Sequence, residues 1–396
     1  MRVTNVTVRA VNALTARWAG TAESGTVFSA AGVWPLLAFL ADGADGAARA
    51  ELADAVGMPA DEAAAAARGL LAGLDAMPGV DSALGLWTKR TLELREEWEA
   101  GLPAEAHGVL TGDPAADQEA LDAWAAKRTG GLIERMPAKV TDDTELLLAN
   151  ALSLRTRWLR PFRETPWQPE GGPWDGRVLL GLRRQSALLD RIGVADTPDG
   201  HVTELKVHGS DGIDVRLLLG EEGMTAGQVL GAGVGLLSDR SAVVPGTRLP
   251  YGEVGPGVRV VKERATTPRP PTLEVCTPAY EVRSDHDLRK RHELFGLTTA
   301  RTRVPGHFPG VSAFPLYVAG ARQTALARFG ALGFEAAAVT ALSLAGTGIP
   351  ELRWIVTTVE AAFDRPFAFL AVHRPSRLVL AAGWVTDPAP FPEAEW

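Results

Sequence analysis

Asp285-His286-Asp287 sets two carboxylates and an imidazole at consecutive positions, a donor set that could ligate a metal. The competing reading is a helix start, with aspartates near the positive N-terminal end of the helix dipole. The run that follows, Asp287 to Phe295, reads as helix and favours that alternative. His292-Glu293 opens like a zincin motif but lacks the second histidine. Cys276, the single cysteine, sits in an apolar strand-like run and suits a buried thiol better than a nucleophile. Gly231-Ala-Gly-Val-Gly235 has the wrong spacing for a dinucleotide fingerprint and is expected to be a loop. No G-x-S-x-G, C-x-x-C or P-loop is present. The chain therefore does not read as an enzyme, and no cofactor and no metal is expected. The most distinctive stretch of the chain lies near its C-terminus. Residues 333–345, GFEAAAVTALSLA, are small and β-branched, with Glu335 as the only ionisable group.

The surrounding elements follow a definite order. Val8, Val11, Leu14 and Trp18 make a helical stripe, Val33 to Leu40 is strongly apolar, and Ala47 to Val56 is an amphipathic helix closed by Gly57. Asp61 is expected to cap an Ala-rich helix running to Leu74, and Ala120 to Lys127 forms another, ended near Gly130 and Gly131. Ser82 to Leu86 suits a strand, and Thr144 to Leu154 a central one. Between about 165 and 285, Gly and Pro punctuate β-prone runs such as Val202–Val207, Ile213–Leu219 and Thr272–Val275. The chain closes on Phe367–Val372 and Leu378–Val385, joined by a turn at Pro375-Ser376. Helices first and strands later is an α+β pattern, without βαβ alternation or an internal repeat.

A length of 396 residues suits two or three ordinary domains or one large β-rich fold. The formal charge of −8 argues against nucleic acid and anionic membrane surfaces as partners. One cysteine excludes an intramolecular disulfide. With no signal-type apolar run at the N-terminus, the expectation is a cytoplasmic, reducing compartment, with secretion by another route compatible.

The 333–345 segment is followed by Arg365-Pro366-Phe367, Phe369-Leu370, Gly383-Trp384-Val385 and Asp387-Pro388. This ending resembles that of the serpin family, P-F-x-F-x…F-x-G-x-V-x-x-P. Asn150-Ala-Leu, Trp158 and Pro161-Phe162 resemble its N-A-x-x-F-x-x-x-W-x-x-P-F signature. Leu121-Asp-x-Trp124, Thr129, Gly131 and Ile133 resemble its I-N-x-W-V-x-x-x-T-x-G-x-I helix. Phe28-Ser29, Gly43-Ala-Asp-Gly46, Pro278, Tyr280, Asp287-Leu288 and Gly296-Leu297-Thr298 fall on further markers in order. The poorest match is about 165–270. The chain is thus similar to a serpin, of bacterial type.

That resemblance implies a single serpin-like domain over 1–396: N-terminal helices, a large central sheet, smaller sheets, and an exposed reactive-centre loop at about 331–355. It implies a serine-type protease inhibitor acting by suicide cleavage. The protease attacks the loop, forms an acyl-enzyme, and is dragged away as the loop enters the sheet. The alternative is a non-inhibitory serpin-fold binding protein. The implied hinge is Gly333, Phe334, Glu335, Ala336, Ala337 and Ala338. The implied sheet-opening region is Ser29, Asn150, Trp158 and Gln323, with Trp158 at the top of the sheet. Three departures stand out: Ala331 and Phe334 replace a Glu and a small hydroxyl residue in the hinge, Ala30 and Gly32 stand at family Pro and Ser positions, and Gln323 stands where His is common.

An inserting strand shows alternate residues to two faces. One face would be Phe334, Ala336, Ala338, Thr340, Leu342 and Leu344, which is mostly apolar; the other is small and mildly polar. Ala- and Leu-rich segments also form helices, so a core helix is the competing reading. Counting from Ala331 as inhibitory loops do places the reactive bond at Thr347–Gly348, with Arg353–Trp354 the runner-up. No Lys or Arg lies between Ala336 and Glu351. Leu344, Ala345 and Thr347 suit an elastase-like or subtilisin-like partner, and the chain is expected to act as a monomer.

Overall fold

The computed structural model describes residues 3–22, 24–103, 106–131, 133–136, 140–142, 144–334 and 354–392. The N-terminal third is helical because its apolar spacing is helical. Asn5–Ala19 is capped by Thr4, whose hydroxyl accepts from the Thr7 amide, and it buries Val8, Val11, Leu14 and Trp18. Ala30–Gly43 is capped in the same way by Ser29 and is buried almost throughout. Gly46–Val56 ends at Gly57 as expected. Ala60–Asp75 starts one residue earlier than the predicted Asp61 cap. Asp61 lies in the first turn and pairs with Arg49, so it serves the helix dipole and not a cap bond. The helix expected over 120–127 is longer, Pro114–Arg128, because Asp113 caps it and Pro114 opens it.

Two further sequence expectations are overturned. Gly231–Gly235 is not a loop but part of the helix Ala226–Ser238. A Thr225/Gln228 capping box starts that helix, and the buried Val229, Leu230, Val234 and Leu237 hold it against its low propensity. The predicted helix from Asp287 to Phe295 is a strand end followed by one 3-10 turn, Leu288–Arg291. Tyr280–Asp287 pairs along its whole length with Gly320–Phe329, which holds Asp287 in the sheet and leaves it to cap the 3-10 turn through the Arg289 amide.

Three sheets carry the rest. In the central sheet His107–Leu110, Val80–Lys89 and Leu146–Leu154 run side by side, followed by Gly320–Phe329, whose other edge holds Tyr280–Asp287. The second sheet orders Thr26–Phe28, Leu378–Val385, Phe367–His373, Ile213–Gly220, Gly200–His208, Ile192–Thr197 and Val243–Pro245. The third orders Gly252–Gly255, Val258–Ala265, Trp354–Ala362, Thr272–Pro278, Leu179–Ser186 and Arg163–Trp167. Aromatic contacts tie the first two together: Tyr280 stacks on Phe329 at 5.3 Å and meets Phe369 at 5.3 Å between centroids. Among the described residues no helix is long and apolar enough to cross a membrane.

Candidate functional site

Leu146–Leu154 and Gly320–Phe329, here called the seam strands, run parallel and pair with each other only from Leu147↔Gly320 to Ala151↔Thr324. Above that point a third strand lies between them. Gly333–Phe334 pairs antiparallel with Phe329 on one side and with Thr156 and Arg157 on the other. Glycine is required at 333: a Cβ there would stand 2.3 Å from the Thr156 carbonyl oxygen. Phe334 is 2% exposed, with its ring 6.1 Å from that of Phe369. The bulky residue at this expected hinge position is therefore accommodated by the core beneath the seam.

Trp158 stands beside this short strand. Its amide donates to the Leu332 carbonyl at 2.9 Å and its indole Nε1 to the Gly330 carbonyl at 2.9 Å. Its ring lies 4.9 Å from Phe329. Phe162 completes the strap, donating its amide to the Ala331 carbonyl at 2.8 Å.

Lower down the seam, Ser29, Asn150 and Gln323 form one buried network. Gln323 Nε2 donates to the Ser29 carbonyl at 2.8 Å and to Asn150 Oδ1 at 2.9 Å. The Ser29 amide donates to Gln323 Oε1 at 2.8 Å. Ser29 Oγ donates to the Leu380 carbonyl at 2.6 Å and accepts from the Gly32 amide. Asn150 and Gln323 are themselves a paired couple across the seam. A Cβ at residue 32 would fall 2.1 Å from Asn150 Oδ1, so the glycine lets the helix approach the sheet this closely. Of the four sheet-opening candidates, three thus meet in one network and Trp158 sits apart at the top.

The other candidates resolve differently. Strand alternation turns His286 to the face opposite Asp285 and Asp287. Asp285 accepts from Thr324 Oγ1 at 2.7 Å, and Asp287 pairs with Arg322 at 3.1 Å. His286 is buried, 2.7 Å from the Val27 carbonyl, and burial holds its pKa below the usual imidazole range. No group of three or more His, Cys, Asp or Glu that could hold a metal occurs among the described residues. Burial pushes the Cys276 thiol up to about 11, with Arg183 pulling back, which leaves it a poor nucleophile at neutral pH.

Glu335, Ala336, Ala337 and Ala338 of the expected hinge lie outside the described residues, as do Thr347, Gly348 and Arg353 of the expected reactive bonds. At the far end, Trp354 is described: it is half exposed and begins the strand Trp354–Ala362, opposite Ala265. Sequence reasoning missed the 157–162 strap as a unit, because its two edges bond to segments remote in sequence. The W-x-x-P-F pattern marked its residues but not its role.

A family model described as Serpin (serine protease inhibitor) matches residues 1–171. Putative serpin-Z6A of Oryza sativa subsp. japonica is 26% identical, covering 91% of this chain and 93% of its own length. Putative non-inhibitory serpin-10 of the same species is 30% identical over 36% of this chain and 38% of its own. The native state of Tengpin, a thermophilic serpin, superposes with a TM-score of 0.75, at 13% identity, covering 98% of this chain and 95% of its own.

Proposed function

We infer that this chain, which belongs to the serpin family and so to protease inhibitors and their relatives and not to enzymes, inhibits a serine protease by suicide cleavage and loop insertion. The carrying observation is the register at the seam. Phe334 lies opposite Phe329 and Thr156. Continued one residue at a time, 335 to 338 would fall opposite 328 to 325 on one side and 155 to 152 on the other. Val339 would then meet Thr324 and Ala151, which are already partners of each other. Both ladders close on the same pair, so a descending antiparallel strand fits without a bulge. Going deeper requires the five seam pairs from Ala151↔Thr324 to Leu147↔Gly320 to part. Phe334 points into the core, which supports an even-numbered buried face for residues that follow.

A cleaved loop gains a strand on each side, and that gain, withheld in the intact chain, is what a kinetically trapped inhibitor needs. The proposed bond remains Thr347–Gly348, cut by an elastase-like or subtilisin-like enzyme. Arg353–Trp354 is disfavoured because Trp354 already belongs to a sheet strand, and a protease cleft needs free extended chain on both sides.

The second reading, a non-inhibitory binding protein, is favoured by one feature. Phe334 and Gly333 are fitted so closely that they could anchor the hinge instead of releasing it. Thermal unfolding before and after cleavage within 342–354 separates the two. A large rise in melting temperature supports insertion; an unchanged value overturns it in favour of the second reading.

A further inference from the structure

We propose that a cleft on the outer side of the 157–162 strap binds a phosphate or sulfate group. The cleft measures about 70 Å³ and gathers Arg160, Arg184, Arg191 and Lys206, with His208 at its side. Arg184 carries the argument. Its guanidinium donates to the Arg160 carbonyl at 2.9 Å and lies 4.2 Å above the Phe162 ring. No carboxylate pairs with it among the described residues. Its nearest charged neighbours are cations, and burial together with Arg160 and Arg191 pushes its pKa down to about 10. A half-buried cation among like charges is an arrangement that a bound anion would relieve.

The nearby acids meet the cleft's cations only at long range or are held by other arginines. Asp190 is 3.9 Å from Arg191 and largely in solvent. Glu204 reaches Lys206 only at 4.0 Å and is held by Arg216 and Arg240. Asp214 lies 3.6 Å from His208 but is clamped by Arg374. His208 stands 2.7 Å from Arg191 and has its pKa lowered by burial, so it faces the cleft neutral, as an acceptor from Arg191. The fork geometry of three guanidiniums suits a tetrahedral oxyanion. Two exposed leucines, Leu159 and Leu188, flank the opening, which fits an anionic group carried on an apolar body.

The site touches the hinge through the strap. One edge of the strap bonds to Ala331 and Leu332, the other to His208 and Gly209. An anion drawing Arg160 toward Arg184 and Arg191 would brace the strap and its bonds to the hinge.

The test is calorimetric titration of the intact chain with phenyl phosphate and with inorganic phosphate, against chloride at matched ionic strength. The expected result is saturable binding of both, tighter for phenyl phosphate, weakened at least tenfold in Arg184→Met. Arg160→Met, at an exposed position, gives the same readout should the first variant fold poorly. Equal binding by both variants and the parent, or equal heat from chloride, means an adventitious ion only and overturns the site. Amide exchange at Trp158 and Phe162 should slow on binding; unchanged exchange with binding intact overturns the link to the hinge. Neither readout involves a protease, so failure of the inhibitory reading would leave both results interpretable.

Discussion

Replacing Gln323 by Ala removes the amide that bridges the seam strands to the helix beneath them. Gln323 is 1% exposed and makes three hydrogen bonds, at 2.8, 2.8 and 2.9 Å. The Ser29 amide loses its acceptor in a site closed to water, at a cost of about 1–3 kcal/mol. The bonds to the Ser29 carbonyl and Asn150 Oδ1 each contribute about 0.5–1.5 kcal/mol. Together the loss is about 2–6 kcal/mol, before any cavity left by the missing side chain. The assay is the midpoint of the first urea unfolding transition of the intact protein, read by far-ultraviolet circular dichroism. A second effect separates a seam latch from an ordinary core residue: mild heating of the variant should convert it faster to a species of higher melting temperature, because the strands that must part are less firmly held. Gly32→Ala should act in the same direction, since its Cβ would displace Asn150 Oδ1 from 2.1 Å. A stability loss under about 1 kcal/mol for Gln323→Ala, with no change in conversion rate, would refute the latch.

Ala338→Arg would set a charge on the proposed buried face opposite Ala325 and Leu152, costing several kcal/mol on insertion; the variant should be cleaved as a substrate, and undiminished covalent complex on a denaturing gel would count against insertion. Trp158 emission, obtained by subtracting the spectrum of Trp158→Phe, should change when the loop is cleaved, because its indole is bonded to Gly330 next to the hinge; an unaltered difference spectrum contradicts the placement. Glu204 is fully buried. Burial alone would raise its pKa, but the bond from Arg240 and the charges of Arg216, Arg240 and Lys206 hold it below 4.5. A depressed carboxylate stabilises the fold above its unfolded pKa and loses that contribution as pH falls through the folded value. Glu204→Gln should therefore destabilise by about 3–5 kcal/mol at neutral pH, with the gap to the parent shrinking below pH 4.5; a gap independent of pH would show that Glu204 acts by packing alone.

Much of the fold was legible because the elements announce themselves locally. The stripe of Val8, Val11, Leu14 and Trp18 follows from helical periodicity, and the terminal pair of strands from two continuous apolar runs joined by a turn. The failures have a common cause. At Gly231–Gly235 and at Asp287, tertiary packing overrides local propensity: buried leucines keep a glycine-rich helix, and the ladder to Gly320–Phe329 claims Asp287 as strand, leaving a single 3-10 turn where a helix was expected. The network of Ser29, Asn150 and Gln323 joins residues far apart in sequence, so a resemblance could mark them but spacing could not pair them. The basic cleft was invisible for the same reason, since Arg160, Arg184, Arg191 and Lys206 come from four separate segments. The fit of Phe334 was the reverse case. Its size looked awkward for a mobile hinge, and only the aromatic contact with Phe369 explains how it is housed.

The central claim is that a protease cutting the loop is trapped by it. Incubating the intact chain with a subtilisin-like and a pancreatic elastase-like enzyme, then running a denaturing gel with mass spectrometry of the released C-terminal fragment, tests this directly. The account predicts a covalent complex with the mass of chain plus protease less that fragment, and a fragment beginning at Gly348 or within 345–348. Cleavage at that bond with both enzymes left fully active and no covalent band would contradict it.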